Sequence, residues 1–425
     1  MVFQTTSTDS DIGDSTVAYL APEIPALSAT FVYEEILCLE RRGVLVVPFS
    51  VHVPGSPAVG QDALASRVTV LYGGKAWPEV LQGLAWWPLF GGRALQAMLC
   101  LLSDMSALGW FRLGSWKLAY QFLAGVRLAR RMQRAGCSHL HIHFAHVPTQ
   151  IGMYASALSG IPFTVTAHAN DIFERGALLK TKAARAKKFL TISEHNIRHL
   201  RGLGIPSEQL AIVRCGVSLT TDTYSVGRRA QGGVVHIGSL GRMVEKKGFD
   251  VLIRAVGLLK QRGHAVVLHI AGDGPLRDEL VALVQSLSME SDVVFEGSMP
   301  HSKVSAWMKG LDIFALACKQ DKAGDMDGIP VVLMEAMSQA LPVVSTRLSG
   351  LPELVIHEET GLLAKPTDAQ DLAMQLEKLV TSVPLSEKLT QQAFGFVKGE
   401  FSQEINLDRL QGYFSAPNKN PTPEK

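Results

Sequence analysis

The segment GDMDGIPVVLMEAM, Gly324 to Met337, sets two acids, Asp327 and Glu335, eight positions apart around an almost wholly apolar run. Pro330 suits a first helical turn, so the spacing predicts a helix from about Ile329. Asp327 then sits just before the electropositive helix end. Glu335 falls about one and a half turns in, among Val331, Val332, Leu333, Met334 and Met337. A carboxylate there is costly unless hydrogen-bonded. Two vicinal hydroxyls, as on a ribose, could satisfy it, and so could a paired arginine. Asp325-Met326-Asp327 also has the i, i+2 carboxylate spacing that can hold Mg²⁺ or Mn²⁺. No further ligand cluster accompanies it in the sequence, so no metal site is expected.

A second candidate is Gly238-Ser-Leu-Gly241-Arg242-Met-Val-Glu-Lys-Lys247-Gly248, which follows an apolar strand pattern. Its glycines permit close backbone approach, and Arg242 and Lys247 flank the start of the next helix. Two cations at a helix N-terminus are unfavourable unless an anion joins them. A diphosphate fits that requirement; a solvated basic loop is the plainer alternative. Ile270-Ala-Gly-Asp-Gly274-Pro275 reads as a structural turn on the same edge. Thr166-Ala-His168-Ala-Asn-Asp171 closes a strand and puts His168 at a strand end, where functional residues concentrate. His141, His143 and His146 cluster on the preceding strand and its exit, with His141 and His143 on one face; they read as core residues.

These residues must be carried by alternating elements. STVAYLAP, VLVVPFSVHV, HLHIHFAH, PFTVTAHAND, KKFLTIS and LAIVRC read as strands, and helical patterns such as ATFVYEEILCLERRG lie between them. The same alternation restarts at VVHIGSLGR and continues through AVVLHIAG, DVVFEG, DIFALA and LPVVST. Strand–helix alternation predicts an α/β protein with parallel sheets, here two Rossmann-like domains facing a cleft. Ligands of such sheets bind at the carboxyl ends of the strands. The glycine-, arginine- and glutamine-rich stretch near Gly227 to Gly233 places the boundary. The expected domains are residues 1–228 and 229–400, then a helix over 401–415 that could cross back to the first domain, and a polar tail over 416–425.

The 425 residues are 47 % hydrophobic and 19 % charged, with a net charge of +2. That is globular composition, and it argues against a dedicated nucleic-acid binder. The five scattered cysteines include no CxxC pair and read as reduced cytosolic thiols. The N-terminus has no signal-peptide pattern. Val80 to Ser103, the most apolar stretch, is broken by Pro88, Gly91-Gly92 and Arg93 and is not expected to span a membrane. Residues 105–170 hold no Asp or Glu but several Arg and Lys. Within them SWKLAYQFLAGVRLARRMQRAG reads as a basic amphipathic helix. Such a helix is either a solvated face, a buried phosphate-facing patch or a surface resting on anionic lipid.

The ordered blocks GSLGRMVEKKGFDVLIRA, IAGDGPLRDEL, DGIPVVLMEAM, LPVVSTRLSGLPELV and ETGLLAKPTDAQDLA resemble family 4 of the retaining glycosyltransferases. In the first half LSATFVYEEILCLERRG, HIHFAHVPTQIGMYAS, IPFTVTAHANDIF and KKFLTISEHN are similar to its bacterial exopolysaccharide, colanic-acid-type branch. The resemblance implies a GT-B fold and retaining, metal-independent transfer of a hexose from a nucleotide-sugar, UDP before GDP, to a lipid-linked oligosaccharide. A soluble acceptor, or a non-catalytic nucleotide-sugar-binding protein, is the alternative. It implies that Glu335 holds the ribose, that Arg242 and Lys247 neutralise the diphosphate, and that Asp327 with the backbone of Gly328, Ile329 and Pro330 holds sugar and phosphate. His168 would touch the sugar near the reacting carbon. Gly241 and the backbone near Met299 would complete the donor site. The family's first acid is usually Glu; here it is Asp327. The loop APEIPALSAT lacks the glycines that many relatives carry there. No cofactor is implied. The expected setting is cytoplasmic, on the inner face of an anionic membrane.

Overall fold

The computed structural model describes residues 16–26, 30–55, 62–74, 76–219 and 233–415. The expected division near 228/229 and the tail 416–425 lie outside the described residues. By contact density the chain divides into two units. The first comprises Met1–Thr166, Ala177–Phe189 and the chain from Gln411 on; the second comprises Ala167–Gly176 and Leu190–Leu410.

Apolar runs without alternation suit strands buried on both faces, and two parallel sheets form from them. The first sheet holds β1 (Thr16–Ala21), β2 (Leu45–His52), β3 (Thr69–Tyr72), β4 (His139–His143), β5 (Phe163–Ala167), β6 (Lys188–Thr191) and β7 (Leu210–Ile212). Its order is β3-β2-β1-β4-β5-β6-β7. The second holds β8 (Val235–Leu240), β9 (Val266–Ala271), β10 (Val293–Gly297), β11 (Ile313–Ala315), β12 (Val343–Thr346) and β13 (Leu362–Ala364). Its order, β10-β9-β8-β11-β12-β13, is that of a doubly wound dinucleotide-type sheet, and all its pairings are parallel. The direction of winding reverses between β8 and β11. The loops leaving those two strands therefore diverge, and a ligand crevice opens at their carboxyl ends.

The second sheet is covered on both faces. The helix Phe249–Gln261 packs Leu252, Ile253, Val256 and Leu259 against one face. The helix Val331–Ser338 packs Leu333, Met334 and Met337 against the other. The sequence placed the start of that helix near Ile329. In the structure Pro330 occupies the cap position and the helix begins at Val331.

The basic helix expected in residues 105–170 forms over Leu113–Arg134, but its length is buried from Leu118 to Met132. The stretch is therefore not one exposed basic face. Arg127 lies in the interior, where it donates to Leu71 O at 2.6 Å and to Glu79 Oε2 at 3.1 Å. The fully exposed residues lie at its ends, among them Trp116 and Lys117 at its start and Arg134 at its close, while Ala119, Tyr120, Leu123, Arg130 and Arg131 are half-buried.

Candidate active site

The site grows from the two loops at the winding reversal of the second sheet. β8 leads into Gly241, Arg242 and Met243, and a single 3₁₀ turn, Glu245–Lys247, leads to Gly248 and the next helix. Gly248 has φ +65°, and a Cβ there would come within 1.8 Å of Ala317 O. Only glycine lets this turn lie so close to the chain leaving β11. The turn after β9 braces the same loop from the other side. Ala271 O accepts from Gly241 N at 3.0 Å, and Asp273 O accepts from Met243 N at 2.8 Å. That is the structural role expected of IAGDGP.

The result is that Lys246 and Lys247 meet the acids after β11. Lys247 Nζ lies 2.7 Å from Asp327 Oδ2. Lys246 Nζ lies 2.7 Å from Asp325 Oδ2 and 3.6 Å from Asp327 Oδ1. The side chains of Lys247 and Asp327 are only 15 % and 14 % exposed. Burial alone would push the Asp327 carboxyl up, but the two lysines outweigh it and hold it below the ordinary carboxylate range. Burial also works against the Lys247 ammonium, and Asp327 more than restores it. The pair is thus ionised on both sides. Cys318 completes the surround, its thiol 3.6 Å from Asp327 Oδ2 and pushed up by burial and by Asp327. Arg242 is exposed, and among the described residues no ion pair engages it. The two lysines balance the two carboxylates, so the exposed Arg242 beside them adds the one surplus positive charge, which suits an anion.

The carboxylates of Asp325 and Asp327 both face lysine ammonium groups.

Glu335 belongs to a different part of the site. Its Oε1 accepts from His301 Nε2 at 3.0 Å, and the side chain is 22 % exposed. It is therefore a half-buried acid with access to solvent rather than a core acid paired with arginine. His301 opens the helix His301–Met308, two residues after Met299, which packs partly buried on the apolar cluster beneath. Gly328 lies close to the turn that carries His168: a Cβ on Gly328 would meet Ile192 Cδ1 at 3.0 Å and Ala169 Cβ at 3.6 Å. His168 itself is buried and caps the short helix Ala169–Phe173, its backbone N–H donating to Asp171 Oδ2 at 2.9 Å.

The structure thus joins Gly241, Lys247 and Asp327 into one group and puts Gly328 beside the residue next to His168. Glu335 is held separately. Lys246 and His301 were missed. Lys246 was visible as the neighbour of Lys247, but nothing in the sequence tells which lysine meets which acid. His301 had no signal beyond its nearness to Met299.

Residues 227–395 match the profile of the Glycosyl transferases group 1 family, and residues 107–221 that of Glycosyltransferase Family 4. The chain carries a family 4 glycosyltransferase domain followed by a group 1 glycosyltransferase domain. It is similar to WcaL of Salmonella typhimurium, a protein named for colanic acid biosynthesis, with 37 % identity over 48 % of each chain. It is also similar to the amylovoran biosynthesis glycosyltransferase AmsK of Erwinia amylovora, with 34 % identity over 57 % of this chain and 61 % of that one. The chain thus spans about half to three-fifths of the length of these curated relatives. The Anabaena protein HepE, solved in complex with UDP, has the same fold: the TM-score is 0.70 at 15 % identity, over 94 % of this chain and 99 % of that one. The two parallel sheets are those of the GT-B fold, as the sequence predicted.

Proposed function

We propose that the chain is a retaining glycosyltransferase that moves a hexose from a nucleotide-sugar, UDP before GDP, to a lipid-linked oligosaccharide in surface polysaccharide assembly. The observation that carries this reading is the lysine–carboxylate group at the winding reversal of the second sheet, with exposed Arg242 beside it. The names of WcaL and AmsK support the polysaccharide setting, and the UDP complex of HepE supports a nucleotide-sugar donor.

In this reading residues 1–228 bind the acceptor and residues 229–400 the donor. Glu335 accepts hydrogen bonds from the ribose hydroxyls, with His301 fixing its carboxylate. As the bond from the sugar to phosphate breaks, negative charge grows on the leaving diphosphate. Lys247, already held by Asp327, and the open Arg242 stabilise that charge. Asp327 orients Lys247 and, with the backbone of Gly328, Ile329 and Pro330, holds sugar and phosphate. His168 faces the sugar near the reacting carbon. In this reading no metal is required, because Arg242 and Lys247 face the diphosphate.

The test is release of nucleoside diphosphate from a panel of UDP- and GDP-hexoses in EDTA, with product anomers read by NMR. Release from one donor with retained configuration, lost in Lys247→Ala, supports the reading. Release only after Mn²⁺ is added, or unchanged release in Lys247→Ala, overturns it.

A further inference from the structure

The first unit carries an apolar face that its own fold leaves uncovered. On the helix Ala76–Trp86, Trp77, Leu81 and Leu84 are exposed at i, i+4, i+7. On the helix Gly92–Leu108, Leu95, Leu99 and Leu102 are exposed at the same spacing. That second helix already buries Ala94, Ala97, Leu101 and Met105 on its opposite side. It is therefore apolar on two faces, and only the inner one is used by the fold. The link to the next helix adds Trp110, Leu113 and Trp116, and Phe111, which has no covering at all. Both helices pack on the helix Leu113–Arg134, and exposed apolar side chains grouped around one support in this way mark an interaction site.

Charge tells what covers it. From Val80 to Asn170 the sequence holds a single acid, Asp104. Asp104 is buried and bonded to Arg185 by both oxygens, at 2.6 and 2.9 Å. Glu79, just before this stretch, is held by the buried Arg127. The face therefore presents no free carboxylate, while Arg112 and Lys117 stand exposed among its aromatic residues. Tryptophans beside cations at the edge of a leucine surface suit the boundary between lipid headgroups and acyl chains. No helix among the described residues is long and apolar enough to cross a membrane. These elements would lie on a bilayer rather than span it.

We propose that this face, built from the helices Ala76–Trp86 and Gly92–Leu108 and the Trp110–Trp116 link, docks the chain on an anionic phospholipid bilayer. This rests on the lipid-linked acceptor of the preceding section, and it moves the contact from the basic helix expected in the sequence to an apolar surface with a few flanking cations.

The test uses the full chain and sucrose-loaded vesicles, either phosphatidylcholine alone or equal parts phosphatidylcholine and phosphatidylglycerol. The chain sediments with the mixed vesicles, and on the order of tenfold less with the neutral ones, since each cation near an anionic surface adds modest attraction. Phe111→Ser with Trp116→Ser lowers partition on the order of tenfold per side chain, with melting point and donor binding unchanged. Leu45→Ser with Val53→Ser, at exposed apolar positions elsewhere, leaves partition unaltered. Wild-type chain that stays in the supernatant, or a double variant that still sediments, overturns the proposal. So does a wild-type dimer in light scattering that the double variant converts to monomer without any vesicle capture; that result assigns the face to a second copy of the chain. Capture without donor binding leaves this surface standing and defeats the transferase reading, whereas donor binding without capture does the reverse.

Discussion

The contact between Lys247 and Asp327 is open to a double-mutant cycle with Asp327→Asn and Lys247→Met. Both side chains are about six-sevenths covered, and their charged atoms lie 2.7 Å apart. Removing one member of a fully buried ion pair costs about 3–5 kcal/mol. Here Lys246 stays 3.6 Å from Asp327 and part of the pair reaches water, so each single variant loses about 2–3 kcal/mol. That lowers the melting point by about 4–12 °C for a unit of this size. The double variant loses less than the sum, with a coupling of about 2 kcal/mol. The folded Asp327 carboxyl titrates below its ordinary value of 3.8, so its contribution is complete above that pH and is lost in stronger acid as pH falls through the lower folded value. Binding separates the functional reading from a structural one. Asp327→Asn leaves two lysines short of a counter-charge, so free UDP binds at least as tightly as in the wild type, while UDP-sugar loses its extra affinity. Calorimetric titration and denaturant melts of the four proteins measure both effects. A coupling below about 0.5 kcal/mol, or equal weakening of UDP and UDP-sugar, would refute the reasoning.

Gly248→Ala places a methyl 1.8 Å from Ala317 O and costs several kcal/mol, whereas Gly263→Ala, with φ +87° and nothing within 4 Å, costs only about 1 kcal/mol; melting curves compare them. His139 is pushed down to about 3 by burial and by Lys187, so it stays neutral in the fold while the unfolded chain takes up a proton below about 6.5. Stability is therefore full above that pH and falls by up to about 1.4 kcal/mol per unit as pH drops from there toward about 3, and His139→Gln melts measured at about pH 6.5 and pH 5 show a shallower loss. His301→Ala removes a surface partner of Glu335; it changes stability by less than about 1 kcal/mol and raises the donor KM by up to about fivefold, read in melts and steady-state rates.

Much of this was legible because spacing carried it. Glycines and cations after a strand, and acids flanking an apolar helix, placed Gly241, Arg242, Lys247, Asp327 and Glu335 on loops and helices of one sheet before any contact was known. The long strands β1, β2, β4, β8 and β9 were equally plain as apolar runs. The four-residue β3 and three-residue β13 were passed over, although β7 and β11 are as short and were read. The sequence of the helix Leu113–Arg134 left a solvated and a buried face open, and the structure turns Arg127 inward to Leu71 O and Glu79, partners brought close only by tertiary packing. The pairing of Glu335 with His301, 34 residues away, was invisible for the same reason.

The central claim is that a nucleotide-sugar binds the second sheet through Glu335 and the Arg242–Lys247 cations without a metal. Titration calorimetry with UDP- and GDP-sugars in EDTA, for wild type and Glu335→Ala, tests it most directly. The account predicts that one donor binds the wild type, and that loss of hydrogen bonds to a charged acceptor weakens it on the order of tenfold to a hundredfold in the variant. Binding that needs restored Mg²⁺ or Mn²⁺, or that is equal in both proteins, would contradict it.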